Sequence, residues 1–110
     1  MFGRDRRVRK HGLPAEATVL SIEDRSGRSA DTLRRWRHRL DVRPADGSER
    51  FEAEVTAVFG ISGLRPREYD VLRVRYDPAT RRVVFDLDGD PRYDLDASTR
   101  QSLERLRPRG

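Results

Sequence analysis

Hydrophobic and polar residues alternate along five segments of the chain, which is the pattern of half-buried β-strands. The clearest segment is 50–59, where every odd position is apolar. The other four segments are 15–24, 32–43, 69–78 and 81–88. In 15–24 both faces are partly apolar, as expected for a strand in a curved or closed sheet. We therefore predict five strands in a meander-like order.

An Asp-Gly dipeptide separates the second and third segments, and it is the strongest short-range signal for a β-hairpin. If Asp46-Gly47 is a two-residue turn, Ala45 faces Ser48 and the numbers of every facing pair sum to 93. The apolar positions that face each other in this register are Trp36 and Ala57, His38 and Val55, Leu40 and Ala53, and Val42 and Phe51. A slip by one residue would turn the apolar face to solvent, so that face specifies the register.

Arginines occupy alternate outward positions of the second segment, namely Arg35, Arg37, Arg39 and Arg43. They could contact phosphates, or they could pair with acidic side chains of the neighbouring strand. The predicted register places Arg39 opposite Glu54, and Asp41 opposite Glu52, where Arg43 or Arg39 should bridge the two carboxylates. We expect a ladder of ion pairs, each contributing about 0.2–1 kcal/mol. The apolar face then determines the fold.

The ends of the chain differ from its centre. Residues 1–10 contain five basic residues and one acidic residue, and we predict a disordered basic arm over 1–12. A β-barrel domain is predicted over 13–96, and a C-terminal helix and tail over 97–110. Ser98 and Gln101 have the spacing of a capping box, which starts this helix near residue 98.

Length and composition exclude several classes of protein. A chain of 110 residues suggests one domain, and the alternation indicates a folded core although 39% of residues are charged. The chain has no cysteine, so disulfides, thiolate zinc sites and cysteine nucleophiles are excluded. No apolar run approaches the roughly 20 residues of a transmembrane helix. The basic start lacks the apolar core of a secretory signal. We expect a soluble cytoplasmic protein without a membrane partner.

Two features raise the question of chemistry. His38 lies on the apolar face, where a buried, hydrogen-bonded histidine is favoured over a catalytic base. The acidic stretch 86–96 resembles a calcium loop, but the sixth and twelfth positions are Pro91 and Ala97 instead of glycine and glutamate. This stretch is therefore interpreted as a solvated acidic turn that pairs with arginines. We predict no catalysis, no metal and no cofactor.

Three segments, "GLPAEATVLS" (12–21), "RLDVRPADGSERFEAEV" (39–55) and "VLRVRYDPATRRVVFDLD" (71–88), carry a resemblance. They resemble small bacterial β-barrel domains of unknown function with the pattern G-x-x-A-x-A-x-V-L, a D-G hairpin, and V-x-V-x-Y-D-P. The matching residues are Gly12, Ala15, Ala17, Val19, Leu20, Tyr76, Asp77 and Pro78. Such relatives usually place a glycine after Leu-x-Pro, where this chain has Glu68 or Tyr69. The resemblance implies a small β-barrel and no catalytic residue.

These observations predict a mainly β protein, a five-stranded, partly open antiparallel β-barrel of OB- or SH3-like size with a short C-terminal α-helix. The predicted function is a non-catalytic cytoplasmic interaction or scaffold module that binds an unknown protein, with a sheet edge as the candidate surface. The alternative is an accessory nucleic-acid-binding protein that makes weak contacts through its tails and the arginine stripe. The candidate polyanion contacts are Arg4, Arg6, Arg7, Arg9, Lys10, Arg35 and Arg37.

Overall fold

A computed structural model describes residues 2–26, 33–60 and 64–106, with side chains from residue 5 onward. The elements in chain order are α1 (Phe2–His11), β1 (Leu13–Asp24), β2 (Leu33–Pro44), β3 (Phe51–Gly60), β4 (Val71–Tyr76), β5 (Val83–Phe85) and α2 (Leu95–Leu106). The five strands form one sheet with antiparallel pairing, and the ends of that sheet approach each other. The predicted fold class, a partly open β-barrel followed by a helix, is confirmed.

The strand order is β3-β2-β1-β4-β5, with β1 at the centre of the sheet. The predicted meander-like order holds from β1 to β3 and fails at β4, which pairs with β1 instead of β3. The chain therefore crosses from one side of β1 to the other between β3 and β4. Because β3 and β5 come into contact, the curved sheet nearly closes into a barrel.

The register between β2 and β3 is the predicted one, and it extends from the Leu33–Gly60 pair to the Val42–Phe51 pair. The predicted two-residue turn is wrong, because β2 ends at Pro44 and residues 45–50 form a wider loop. The amide of Gly47 donates to the Pro44 carbonyl at 3.3 Å, so the tight turn lies earlier in the loop. Pro44 has no N–H to donate to β3, and it pairs instead with Ala15 of β1.

A β-bulge in β1 explains why both faces of this strand contain apolar residues. The pairing with β2 shifts between Val19 and Ser21, which leaves Leu20 as the extra residue. Before the bulge, the odd positions Ala17 and Val19 are fully buried. After it, the even position Ile22 lies opposite His38 and packs against the core.

The core lies inside the barrel and is built from the inward positions of all five strands. Its buried residues are Ala15, Ala17, Val19, Leu40, Val42, Phe51, Val55, Leu72, Val74, Tyr76 and Val83. The predicted inward face of β4, Leu72, Val74 and Tyr76, is confirmed. The strand that follows is shorter than the predicted segment 81–88, and Tyr69 in the loop before β4 has a left-handed φ of 67°.

The predicted disordered arm is wrong for Phe2–His11, which forms α1. Val8 is buried with 3% exposure where α1 packs against β4 and β5. The helix ends at His11, and a Cβ added at the next residue, Gly12, would lie 2.4 Å from the Val8 carbonyl oxygen. The sequence pattern missed this helix because, from residue 5 to residue 11, Val8 is the one buried side chain among mostly charged residues, and a single apolar residue shows no periodicity.

Helix α2 begins at Leu95, three residues before the predicted start. Asp94, not Ser98, caps it, because the Asp94 Oδ1 accepts hydrogen bonds from the amides of Asp96 at 3.0 Å and Ala97 at 3.3 Å. Most of the helix is exposed, and Ala97 is its buried residue. Residues 107–110 of the predicted tail lie outside the described residues.

Candidate interaction surface at the seam between β3 and β5

The place where the barrel fails to close is the candidate site, and we call the gap between β3 and β5 the seam. β3 pairs with β2 along one edge, and β5 pairs with β4 along one edge. Within the described residues no ladder joins β3 to β5, although the two strands are in contact. Both strands run parallel to β1, because each is separated from it by two antiparallel steps. Two parallel edges therefore face each other with unused backbone groups.

A cleft of about 450 Å³ follows the seam. Its walls are residues 55–59 of β3 and residues 84–88 in and after β5. Asp5 and Arg9 of α1 lie at its border, so the N-terminal helix closes one side. Three acidic side chains, Asp5, Asp86 and Asp88, and one basic side chain, Arg9, line the cleft. The cleft exposes apolar and polar surface in similar amounts and has acidic residues at its border, so it can hold an extended segment of alternating apolar and basic residues.

His38 lies beneath the seam and contacts both of its strands. The imidazole is 1% exposed, and its Nδ1 lies 3.1 Å from the Val55 carbonyl oxygen in β3. The ring packs edge-on against Phe85 of β5 at 4.9 Å and against Phe59 of β3 at 6.0 Å between centroids. Burial lowers the pKa of His38, and the charge of Arg65 lowers it further. The prediction of a buried, hydrogen-bonded histidine is confirmed at Nδ1.

Two of the four arginines of the stripe, Arg37 and Arg43, pair with acidic neighbours. Arg37 pairs with Glu23 of β1 at 2.6 Å. A hydrogen bond from Arg25 is the largest cause that lowers the pKa of Glu23, and Arg37 lowers it further. Arg35 is exposed, and its backbone amide bonds to the hydroxyl of Ser26. Arg39 lies opposite Glu54 as predicted. In the part of the chain that the structure describes, the side chains of this pair form no ion pair within 4.0 Å.

The expected bridge between Asp41 and Glu52 takes a different form. Arg43 does contact Asp41 at 3.2 Å, but its second contact is Glu16 of β1 at 3.2 Å. Arg50, from the wide hairpin loop, also pairs with Asp41. Hydrogen bonds from Arg50 are the largest cause that lowers the pKa of Asp41, and Arg43 adds to them. The ladder thus runs mainly between β2 and β1 instead of between β2 and β3.

The other candidate polyanion contacts lie on α1, away from the stripe. Arg6, Arg7, Arg9 and Lys10 are exposed, while the side chain of Arg4 lies outside the described atoms. α1 packs on β4 and β5, whereas Arg35 and Arg37 lie on β2, which is not a neighbour of either strand. The structure therefore does not bring the two predicted groups of basic residues together.

The acidic stretch 86–96 forms a turn with internal partners. Asp90 pairs with Arg92 at 2.9 Å, and Asp86 lies 3.5 Å from Arg75. Hydrogen bonds from Arg92 are the main cause that lowers the pKa of Asp90. Across the described ranges, no three His, Cys, Asp or Glu side chains are grouped as a metal would need. The predicted pairing of this stretch with arginines is confirmed.

Comparison with known proteins identified no matching family model, curated protein or solved structure. The resemblance to small bacterial β-barrel domains accordingly stays a prediction. Among the described residues, no helix has both the length and the apolar character required to cross a membrane.

Sequence reasoning missed three contributors to the seam. It did not single out Phe59, Phe85 or Asp88 as functional, because each reads as an ordinary strand or turn residue. The sequence did predict the last strand, β5. If β5 does not pair with β3, both strands keep an open edge. Recognising that edge required the strand order, which alternation alone does not specify.

Proposed function

We propose that the chain is a non-catalytic cytoplasmic interaction module that binds an extended segment of a partner protein along the seam. The observation that carries this proposal is the free edge of β3 beside the free edge of β5. β3 is ten residues long and β5 is three, so in the described part of the chain most of the β3 edge has no strand alongside it. Addition of a strand to such an edge is a common way of binding peptides.

The side chains at the seam favour a partner with apolar residues at alternate positions. Val55 and Val84 are buried, and Phe59 and Phe85 are partly buried, so the cleft has an apolar floor at the level of the strands. Successive side chains of an added strand would point alternately into this floor and toward solvent. Specificity would then come from the inward positions, and affinity mainly from backbone hydrogen bonds.

Charge favours basic residues at the other positions of the partner. Three acidic side chains and one basic side chain line the cleft. Asp5 pairs with Arg82 and Asp86 with Arg75, so Asp88 is the carboxylate of the cleft that has no ion pair among the described residues. Glu52 and Glu54 add two further exposed carboxylates on β3. Charge complementarity of this kind affects association rate and selectivity more than affinity. A cytoplasmic location is part of the proposal, as expected from a chain without cysteine.

A labelled peptide of alternating valine and arginine tests the proposal by fluorescence anisotropy at about 150 mM salt, where weak surface attraction is screened. We expect saturable binding to this peptide and none to a valine–glutamate peptide. Asp88→Arg should weaken binding about threefold, as loss of an exposed charge pair implies. The matched control Glu49→Arg, in the hairpin loop, should not. Equal affinity for both peptides would contradict the proposal.

Amide hydrogen exchange gives the structural readout of the same experiment. Bound peptide should protect amides of β3 and leave β1 unchanged, because β1 already pairs along both edges. Binding without added protection in β3 would place the peptide elsewhere and exclude strand addition.

A second proposal, weak contact with polyanions, is supported by the basic surface of α1. Arg6, Arg7, Arg9 and Lys10 are exposed, whereas Arg37 of the stripe is occupied by Glu23. Binding to a DNA or RNA oligonucleotide should appear near about 50 mM salt, and it should weaken steeply as salt rises. Replacement of Arg6 and Lys10 by glutamine should abolish it, and Arg37→Gln should not. No salt-dependent binding at low salt would contradict this proposal.

A further inference from the structure

A second candidate site lies where β2 begins, around the single tryptophan of the chain. Trp36 pairs with Asp24 of β1 and with Ala57 of β3. Arg65, in the segment before β4, places its guanidinium carbon 4.3 Å from the centroid of the Trp36 ring. This distance is typical of a cation–π contact. The two side chains therefore form one unit at this end of the barrel.

Both members of this unit have a buried donor without an acceptor. The indole Nε1 of Trp36 and the Nε of Arg65 are enclosed and have no hydrogen-bond partner among the residues that the structure describes. Each of these atoms can only donate, so they cannot satisfy one another. A buried donor without a partner is unfavourable, and native proteins keep such groups mainly where they have a use. Because these two donors belong to side chains in contact, one acceptor group from a ligand would satisfy both.

The charge of Arg65 also lacks a counter-ion. Within the described ranges, Arg65 has no carboxylate oxygen within 4.0 Å, although most arginines on the barrel strands do. Burial lowers the pKa of Arg65, and the neighbouring charge of Arg67 lowers it further. The site thus combines the positive charges of Arg65 and Arg67 with donors that lack acceptors, and this combination favours the binding of an anion.

The segment that carries Arg65 is held firmly against the barrel. Pro66 is fully buried. The carboxylate of Asp70 accepts from the Arg67 amide at 3.0 Å and from the Tyr93 hydroxyl at 2.7 Å. The Tyr69 amide donates to the Val19 carbonyl at 2.7 Å. These contacts fix the backbone that follows Arg65 and leave its side chain as the part that can move.

We propose that Trp36 and Arg65 bind the phosphate group of a small ligand. A phosphate carries a charge of about −1.5 to −2 at neutral pH and three strong acceptor oxygens, which suits two arginines and an indole N–H. A carboxylate offers one charge and two oxygens. Because both donors are enclosed, the Arg65 side chain turns away from the ring as the ligand enters. This movement exposes the indole N–H.

Inorganic phosphate, titrated at constant ionic strength with sodium chloride, is the probe. Trp36 is the only tryptophan, so both its emission and its single indole N–H cross-peak report on the site directly. We expect a saturable change in both signals. Arg65→Gln should weaken binding about tenfold, as loss of one charge-assisted hydrogen bond implies. Arg65→Lys, which keeps the charge, should weaken it less.

Arg100→Gln is the matched control, because Arg100 is an exposed arginine on α2. It should leave the phosphate affinity unchanged. An unsaturable response, or equal weakening by Arg100→Gln, would show diffuse attraction by a basic protein and overturn the proposal. Acetate that binds as tightly as phosphate would overturn the assignment to phosphate. These outcomes are independent of peptide binding at the seam.

Discussion

The two sides of the barrel differ in how their strands are joined. β1 is paired along both edges, over nine positions with β2 and six with β4. β5 is paired along one edge over three positions, and its other edge faces β3 without a ladder. The side around β1 is stabilised by backbone pairing, buried apolar side chains and ion pairs. The second depends on side-chain contacts around His38 and on cover from α1.

This difference separates stability from the candidate function. The fully buried residues Leu40, Val19 and Val42 lie on β1 and β2, where a disturbance reaches the whole core. The partly buried residues Phe59, Phe85 and Leu87 lie at the seam. Regions with few backbone hydrogen bonds between strands open at a lower free energy than the core, and binding surfaces commonly lie in such regions.

The largest expected effect tests the closed side of the barrel, where β1 pairs with β2 and β4. Leu40→Ala should lower the free energy of unfolding by about 3 kcal/mol, because it leaves a cavity at a position with 0% exposure. Phe85→Ala should lower it by less, although phenylalanine is larger, because the ring borders the open cleft. Urea denaturation measures both. Leu103→Ala on α2, a residue with 62% exposure, is the control and should change stability by less than about 0.5 kcal/mol. A larger loss in Phe85→Ala would remove the distinction between the two sides.

The next effect concerns the helix that covers the seam. Gly12→Ala places a Cβ 2.4 Å from the Val8 carbonyl oxygen, so the end of α1 must shift. We expect a loss of about 2 kcal/mol, in the range of overpacked sites. Gly47→Ala is the matched control, since its Cβ meets nothing within 4 Å and its φ of 83° is the source of strain. Trypsin should cut at Arg6, Arg7 and Arg9 faster in Gly12→Ala than in Gly47→Ala. Equal cleavage rates would show that α1 does not depend on this close approach.

Much of the closed side could be predicted from the sequence, because alternation and local charge determine it. The register of β2 against β3 follows from the match between apolar faces, and the structure has the predicted pairs from Trp36–Ala57 to Val42–Phe51 but not the pair Ala45–Ser48. The predicted two-residue turn at Asp46-Gly47 was wrong because Pro44 has no N–H to donate to β3. The strand therefore ends at Pro44, before the Asp-Gly dipeptide. The bulge at Leu20 was visible as apolar residues on both faces of one strand, although its position was not.

The open side could not be predicted in the same way. Its geometry depends on β4 crossing to the far side of β1, and no local pattern encodes that choice. Helix α1 packs on the barrel through the buried Val8, and the cap of α2 at Asp94 depends on a turn that also bonds Gly89. The contact between Arg65 and Trp36 joins residues that are distant in the sequence. Tertiary packing, not propensity, determines each of these features.

The smallest expected effect links the two sides through His38, whose imidazole lies between β2 and the seam. Burial holds the pKa of His38 below its ordinary value of about 6.5, so the unfolded chain binds a proton more readily than the folded chain. The neutral ring therefore contributes stability that is fully present above about pH 6.5 and is lost as the pH falls toward the lower folded pKa. We expect lower stability at pH 5.5 than at pH 7, measured by urea denaturation. The lowered pKa values of Glu23 and Asp41 affect stability only below their ordinary range near pH 4, so they do not contribute between these pH values.

His38→Gln should flatten the profile of stability against pH between pH 5.5 and 7. Because the Nδ1 bond ends on Val55 and the ring rests on Phe85, amides of β3 and β5 should exchange faster at pH 5.5 than those of β1. A uniform increase across all strands would show that His38 supports the whole barrel and not the seam in particular.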